Sequence, residues 1–203
     1  MIYYFGTFNP IHKGHVEIAN RIKQSFNEDV CLIPAYDSPW KPNLKDNYDD
    51  RITMIKMCNL KYSDIESKLP TPSYTVQTVK EIINNSEYKN PGRLKFIIGY
   101  DQFFNIEKWK DWEYLRDNCF FIVIPREMDK TDIYSMLDKG FNFCIFGMHY
   151  INISSTEVRK GNLDLVPDII RNYVSMSYVT EEEQKLREEY FKILENTVYK
   201  TSE

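Results

Sequence analysis

Short apolar runs alternate along the chain with stretches in which apolar positions return every three or four residues. Residues 1–5, 30–34, 94–98, 120–124 and 141–146 are near-continuous apolar runs rather than alternating ones, which predicts strands covered on both faces. Between them the spacing turns helical. Val16, Ala19, Ile22, Lys23 and Phe26 form one face, Ile52, Ile55 and Met57 a second, Val76, Val79, Ile82 and Ile83 a third, and Trp112 with Leu115 a short fourth. Strand, helix, strand, helix predicts an α/β fold: a Rossmann-like, doubly wound, mainly parallel sheet with helices on both faces. No repeat, low-complexity tract or Gly/Ser linker interrupts the pattern, so a single domain is expected. Ligands of such sheets sit where the carboxyl ends of strands feed helix starts. That directs attention to residues 6–15, 35–45, 99–112 and the stretch after Phe146.

Composition narrows the function. With 26 Lys and Arg against 30 Asp and Glu, the net charge is -4, so no global attraction draws the chain to nucleic acid or to an acidic membrane. An anionic ligand must be held by a local constellation. No apolar run approaches the length of a membrane span, and residues 1–6 lack the features of a signal peptide, so a cytoplasmic protein is expected. Cys31, Cys58, Cys119 and Cys144 are far apart in the sequence. They fit neither a zinc knuckle nor a redox pair and read as reduced, buried thiols.

Two histidines, His12 and His15, stand at the start of the first predicted helix in the run Gly6-Thr7-Phe8-Asn9-Pro10-Ile11-His12-Lys13-Gly14-His15. Cationic side chains oppose the helix dipole there, so His12, Lys13 and His15 together make poor sense as stabilising devices, and a bound phosphate would resolve the conflict. Gly14 would let the main chain approach the anion. Neither the P-loop pattern nor Gly-x-Gly-x-x-Gly is present. His149, alone, reads as an ordinary structural histidine. Near the other end, Ile153-Ser154-Ser155-Thr156-Glu157-Val158-Arg159 contains a capping box, Ser154 with Glu157, at a second helix start.

The first run resembles the His-x-Gly-His signature of the nucleotidylyltransferase superfamily, and the second its Ile-Ser-Ser-Thr-x-x-Arg motif. Pro39-Trp40-Lys41-Pro42, Pro72-Ser73-Tyr74-Thr75, and the run from Phe96 to Asp101 followed by Lys108-Trp109 are similar to the bacterial nicotinate-nucleotide adenylyltransferase family. The resemblance covers residues 1–178. It implies adenylyl transfer from ATP, with Mg2+, to nicotinate mononucleotide, giving deamido-NAD and pyrophosphate. It implies catalytic roles for His12, His15, Lys41 and Arg159, and ATP contacts at Gly6, Thr7, Phe8, Asn9, Gly14, Ile153, Ser154, Ser155 and Thr156. Tyr74, Thr75, Gly99, Asp101 and Trp109 would meet the mononucleotide, Trp109 by stacking on the pyridine ring. No metal-binding side chains are expected.

Alternatives remain open at this level. Nicotinamide mononucleotide or another phosphorylated small molecule would also fit as acceptor, as would a non-catalytic nucleotide-binding regulator. Ser73 could instead be an N-cap, Asp101 a helix cap, Lys41 a solvated loop residue and Trp109 a packing residue. Phe5 stands where the family usually has glycine, and Asn9 where it more often has aspartate. Residues 179–203 read as a charged helix whose stripe of Leu186, Tyr190, Ile193, Leu194 and Thr197 would pack on its own domain or make a homo-oligomer contact.

Overall fold

A computed structural model describes residues 1–39, 41, 43–44, 47–84, 92–125, 130–147 and 153–178, with only the main chain at 130–132. His149, Trp40, Pro42 and the 179–203 segment lie outside the described residues. Six strands form one sheet: β1 (Ile2–Gly6), β2 (Val30–Pro34), β3 (Lys61–Tyr62), β4 (Leu94–Gly99), β5 (Cys119–Ile124) and β6 (Phe143–Ile145). Every pairing is parallel and the order is β3-β2-β1-β4-β5-β6. The expected doubly wound sheet is therefore present, with β6 shorter than the apolar run 141–146. Gly140, at φ 81, closes the preceding turn, and residues 141–142 complete it before the ladder begins.

The helices are α1 (Lys13–Phe26), α2 (Tyr48–Met57), α3 (Thr75–Asn84), α4 (Tyr100–Phe103), α5 (Trp112–Asn118), α6 (Lys130–Asp138), α7 (Ser155–Arg159) and α8 (Asp168–Ser177). Strand alternation divides the core into two layers. Phe96 and Ile98 of β4 with Phe121 and Val123 of β5 face one side, where Val76, Val79 and Ile82 of α3, Phe103 of α4 and Leu115 of α5 meet them. Ile97 and Ile122, one residue out of phase, face the other side, against Ala19 and Ile22 of α1, Met54 and Ile55 of α2, Val158 of α7, and Ile170 and Val174 of α8. Burial on both faces is why these strands read as unbroken apolar runs.

Chain order explains where a ligand can lie. From β1 the chain runs outward through β2 to β3, then returns to the other side of β1 and continues through β4 to β6. The reversal opens a crevice beyond the carboxyl ends of β1 and β4. Those ends are Gly6 and Gly99. A Cβ on Gly99 would meet nothing within 4 Å, whereas one on Gly6 would sit 2.8 Å from the Phe8 ring. Space is thus left open at one lip, and at the other the missing side chain admits an aromatic ring.

Candidate active site

The β1–α1 loop forms the floor of the crevice. Phe8 adopts φ 49, an unfavourable region for a bulky residue. Its ring is fixed edge-on against Tyr4 at 5.2 Å and against His15 at 5.0 Å. Phe5 turns to the opposite layer and packs on Phe96, ring centroids 4.4 Å apart. Its side chain is accommodated by the core rather than by the loop.

His12 is the N-cap of α1, and the histidines cap one another. The His15 N–H reaches His12 Nδ1 at 3.4 Å, and the His12 N–H reaches His15 Nδ1 at 3.3 Å. The rings stack with centroids 3.6 Å apart. Each Nδ1 accepts, so each neutral ring carries its proton on Nε2 and offers that edge as a donor. Burial lowers the His12 pKa from 6.5 to about 4. His15 is also held well below its usual value, first by burial and then by the His12 and Lys41 charges. His12 and His15 therefore do stabilise this helix start, contrary to the expectation for His12, Lys13 and His15 as cations: as neutral imidazoles the two are its cap.

The second helix start meets the first. Ser154 is the N-cap of α7 and accepts from the Glu157 N–H at 3.3 Å. The Glu157 carboxylate turns to Lys160, so only half of the predicted capping box forms. Ser155 Oγ donates to the Pro10 carbonyl at 2.9 Å. Arg159 donates through Nη1 to the Asn9 carbonyl and through Nη2 to Thr156 Oγ1 at 3.1 Å. From the β2–α2 loop, Lys41 Nζ donates to Thr7 Oγ1 at 3.3 Å. Although Lys41 is exposed, its pKa is lowered, first by partial desolvation and then by the charges of Arg159 and Arg51. His12, His15, Lys41 and Arg159 are thus brought together around one loop. Among the described residues no carboxylate forms an ion pair with Lys41 or Arg159. Gly14 is buried in the first turn of α1, and Ile153 is half-buried just before the α7 cap.

The residues expected to meet the mononucleotide lie after β4 and at the start of α3. Gly99 is the N-cap of α4, and exposed Asp101 lies in the first turn of that helix. Trp109 is half-buried, its ring 6.4 Å from Phe96. Thr75 begins α3. Ser73 is not the cap there: the Tyr74 N–H is taken by Gln77 Oε1 at 2.9 Å. The Ser73 hydroxyl instead lies 3.0 Å from buried Glu66, which also accepts from the Tyr36 N–H at 3.1 Å and Thr78 Oγ1 at 3.1 Å. Burial raises the Glu66 pKa against the pull of these bonds.

Four residues near the site escape sequence reasoning. Arg51, fully buried, donates to the Thr7 carbonyl. Asn47 Nδ2 and the Tyr178 hydroxyl both donate to Asn9 Oδ1, and Glu66 ties the β2–α2 loop to α3. A signal for Arg51 exists: Tyr48, Arg51, Ile52 and Ile55 share one helical face. The four cysteines are free, Cys31 and Cys119 buried and Cys58 and Cys144 half-buried. Burial pushes the thiols of Cys31 and Cys58 to about 11 and that of Cys119 to about 12, so these are poor nucleophiles.

Comparison with known proteins gives concordant matches. The Cytidylyltransferase-like family model matches residues 3–161. A probable nicotinate-nucleotide adenylyltransferase of Buchnera aphidicola subsp. Schizaphis graminum is 32% identical, over 83% of this chain and 90% of that protein. In fold, the chain is similar to Plasmodium falciparum nicotinic acid mononucleotide adenylyltransferase complexed with NaAD, with a TM-score of 0.63 and 20% identity, over 85% of this chain and 94% of that one. The same parasite enzyme complexed with APC gives a TM-score of 0.53 and 22% identity, over 84% and 88% of the two chains.

Proposed function

The chain belongs to the Cytidylyltransferase-like family, and from that premise we infer that it is a nicotinate-nucleotide adenylyltransferase of NAD biosynthesis. It transfers the adenylyl group of ATP to nicotinate mononucleotide. A phosphate oxygen of the mononucleotide attacks the α-phosphorus in line, the bond to the bridging oxygen of the β-phosphate breaks, and pyrophosphate leaves with that electron pair. The attacking oxygen is already anionic, so alignment and charge stabilisation carry the reaction without an enzyme nucleophile.

The observation that carries this reading is the fastening of two helix starts, from opposite ends of the described chain, around one loop met by Lys41 and Arg159, cations with no carboxylate partner among the described residues. In our proposal Lys41 and Arg159 balance the triphosphate and the leaving pyrophosphate. The Nε2–H edges of His12 and His15 donate to the same oxygens, and bound anion raises the imidazole pKa toward the protonated form. Gly6, Thr7, Phe8, Asn9 and Gly14 with Ile153, Ser154, Ser155 and Thr156 frame the nucleotide. Tyr74, Thr75, Gly99, Asp101 and Trp109 frame the mononucleotide.

Mg2+ enters this scheme with ATP. The described residues bring together no group of three or more His, Cys, Asp or Glu fit to hold a metal. The catalytic side chains proposed here are imidazole, ammonium and guanidinium, so the ion's ligands would be phosphate oxygens and water, and its chemistry is charge neutralisation on the triphosphate. No described helix is long and apolar enough to cross a membrane. We propose a cytoplasmic enzyme that acts on these small molecules and not on nucleic acid.

Pyrophosphate release from MgATP with each mononucleotide in turn tests the assignment. The nicotinate form is expected to be preferred over the amide by about tenfold or more in kcat/KM. The reverse order would identify the amide as the acceptor, and no release with either would remove the enzymatic reading.

A further inference from the structure

Beneath the phosphate loop lies a charge that the reaction scheme leaves unused. Arg51, in the first turn of α2, has no exposed surface. Its guanidinium donates through Nη1 to the Thr7 carbonyl at 2.7 Å, through Nη2 to the Leu44 carbonyl at 2.7 Å, and through Nε to Asn47 Oδ1 at 3.1 Å. The Tyr48 ring lies 5.1 Å away. All three acceptors are neutral, and among the described residues no carboxylate forms an ion pair with it. Dehydrating an arginine without a carboxylate partner is costly, and an apolar side chain of similar volume would commonly serve stability as well. The fork must therefore earn its place through what it holds.

It holds the two residues that carry the proposed phosphate cations. Thr7 gives its carbonyl to Arg51 and its hydroxyl to Lys41. Asn47 accepts from Arg51 and donates to Asn9 Oδ1 at 2.8 Å, and the Asn9 carbonyl takes Arg159. Between these anchors lies Phe8 with its unfavourable φ 49. The Thr7–Phe8 peptide is trans, so fixing the Thr7 carbonyl toward Arg51 turns the Phe8 N–H the opposite way.

We propose that Arg51 is a positioning residue for adenylyl transfer. Its planar fork sets the backbone of residues 7–9 and, through Thr7 and Asn9, aims Lys41 and Arg159 at the nucleotide's phosphates. The proposal rests on the adenylyltransferase reading and adds to it a residue that touches no substrate.

The test compares wild type, Arg51→Lys and Asn47→Ala by pyrophosphate release, ATP binding calorimetry and thermal melting. Arg51→Lys keeps the charge but loses the fork. Its kcat/KM for ATP is expected to fall by about tenfold or more, while KM for nicotinate mononucleotide stays within about threefold of wild type. Asn47→Ala, which unlinks Arg51 from Asn9, is expected to show the same bias at roughly threefold. A lower melting point with ATP kinetics unchanged per folded molecule would mean a structural role alone and overturn the proposal. Wild-type ATP kinetics in Arg51→Lys would overturn it as well, since charge would then suffice. If Arg51→Lys does not fold, Asn47→Ala decides, and an unchanged kcat/KM for ATP sinks the idea. If wild type releases no pyrophosphate with any mononucleotide, the adenylyltransferase reading falls. ATP affinity then tests the clamp by itself: weaker binding in the variants supports it and equal binding removes it.

Discussion

His15 illustrates how one residue serves folding and the proposed chemistry together. Its Nδ1 caps the start of α1 and its Nε2 edge is left as a donor, so His15→Ala should remove both. Losing a cap costs about 1 kcal/mol, a drop of a few degrees in melting point for a chain of this size. Turnover should fall much further, by about a hundredfold or more. Thermal melting beside pyrophosphate release separates the two effects, and a variant that melts early but turns over normally would remove His15 from the mechanism. The pair is legible in the sequence because its signal is local, two histidines and a glycine at a helix start. Arg51 is only half legible: its spacing with Tyr48, Ile52 and Ile55 puts it on the apolar face, but beside Asp49 and Asp50 its charge reads as solvated. Its burial is decided by Thr7 and Leu44, which only the folded chain brings near. Asn9 is similar: its donors, Asn47 and Tyr178, come from distant segments.

Among the elements, the strands and α1, α2, α3 and α5 follow from period alone. β3 does not, since two residues flanked by Ser63 and Asp64 present no pattern. α8 is also left unassigned by the sequence reading, although Ile170 and Val174 are fully buried in one layer of the core. What joins elements near the acceptor side is Glu66, in a turn of 3-10 helix at Ile65–Lys68. Both of its oxygens accept bonds, and its pKa is raised by burial. A carboxyl whose pKa is raised on folding destabilises the fold increasingly as pH climbs from the unfolded value through the folded one. Glu66→Gln keeps an acceptor for Tyr36 and Ser73, and its amide can donate to Thr78 Oγ1. It should therefore melt at or above the wild-type temperature at neutral pH, with the advantage vanishing near pH 4.5, the ordinary value for glutamate. Melting curves across that interval check it, and a deficit at neutral pH would show that the charge is needed.

Among the described residues, the pairing of charges differs between the two ends of the strands. At the amino ends of the strands, Glu28 binds the Met1 ammonium and Lys95, while Asp29 binds Lys23 and Lys61. Beyond the carboxyl ends stand Lys41, Arg51 and Arg159 without such partners among the described residues. A chain of net charge -4 thus presents a local positive field at the crevice, which salt should screen. Raising ionic strength from about 0.05 M to about 0.5 M should increase KM for ATP several-fold. Initial-rate measurements at fixed Mg2+ test this, and a flat response would argue against an electrostatic hold on the triphosphate. The doubly wound class is the part of the architecture most open to sequence reasoning, because alternation of strand and helix needs no side-chain detail, whereas the strand order is seen only in the folded chain.

Mutual capping by two imidazoles has a cost for anyone seeking a hardier protein. Serine and aspartate are the preferred residues where His12 stands, so a search for heat-tolerant variants would be drawn to them. On the mechanism proposed here each such gain would strip a donor from the phosphates, and aspartate would add repulsion. Thermotolerance and throughput would then diverge at that position, and robustness would have to be bought elsewhere, on faces remote from the crevice.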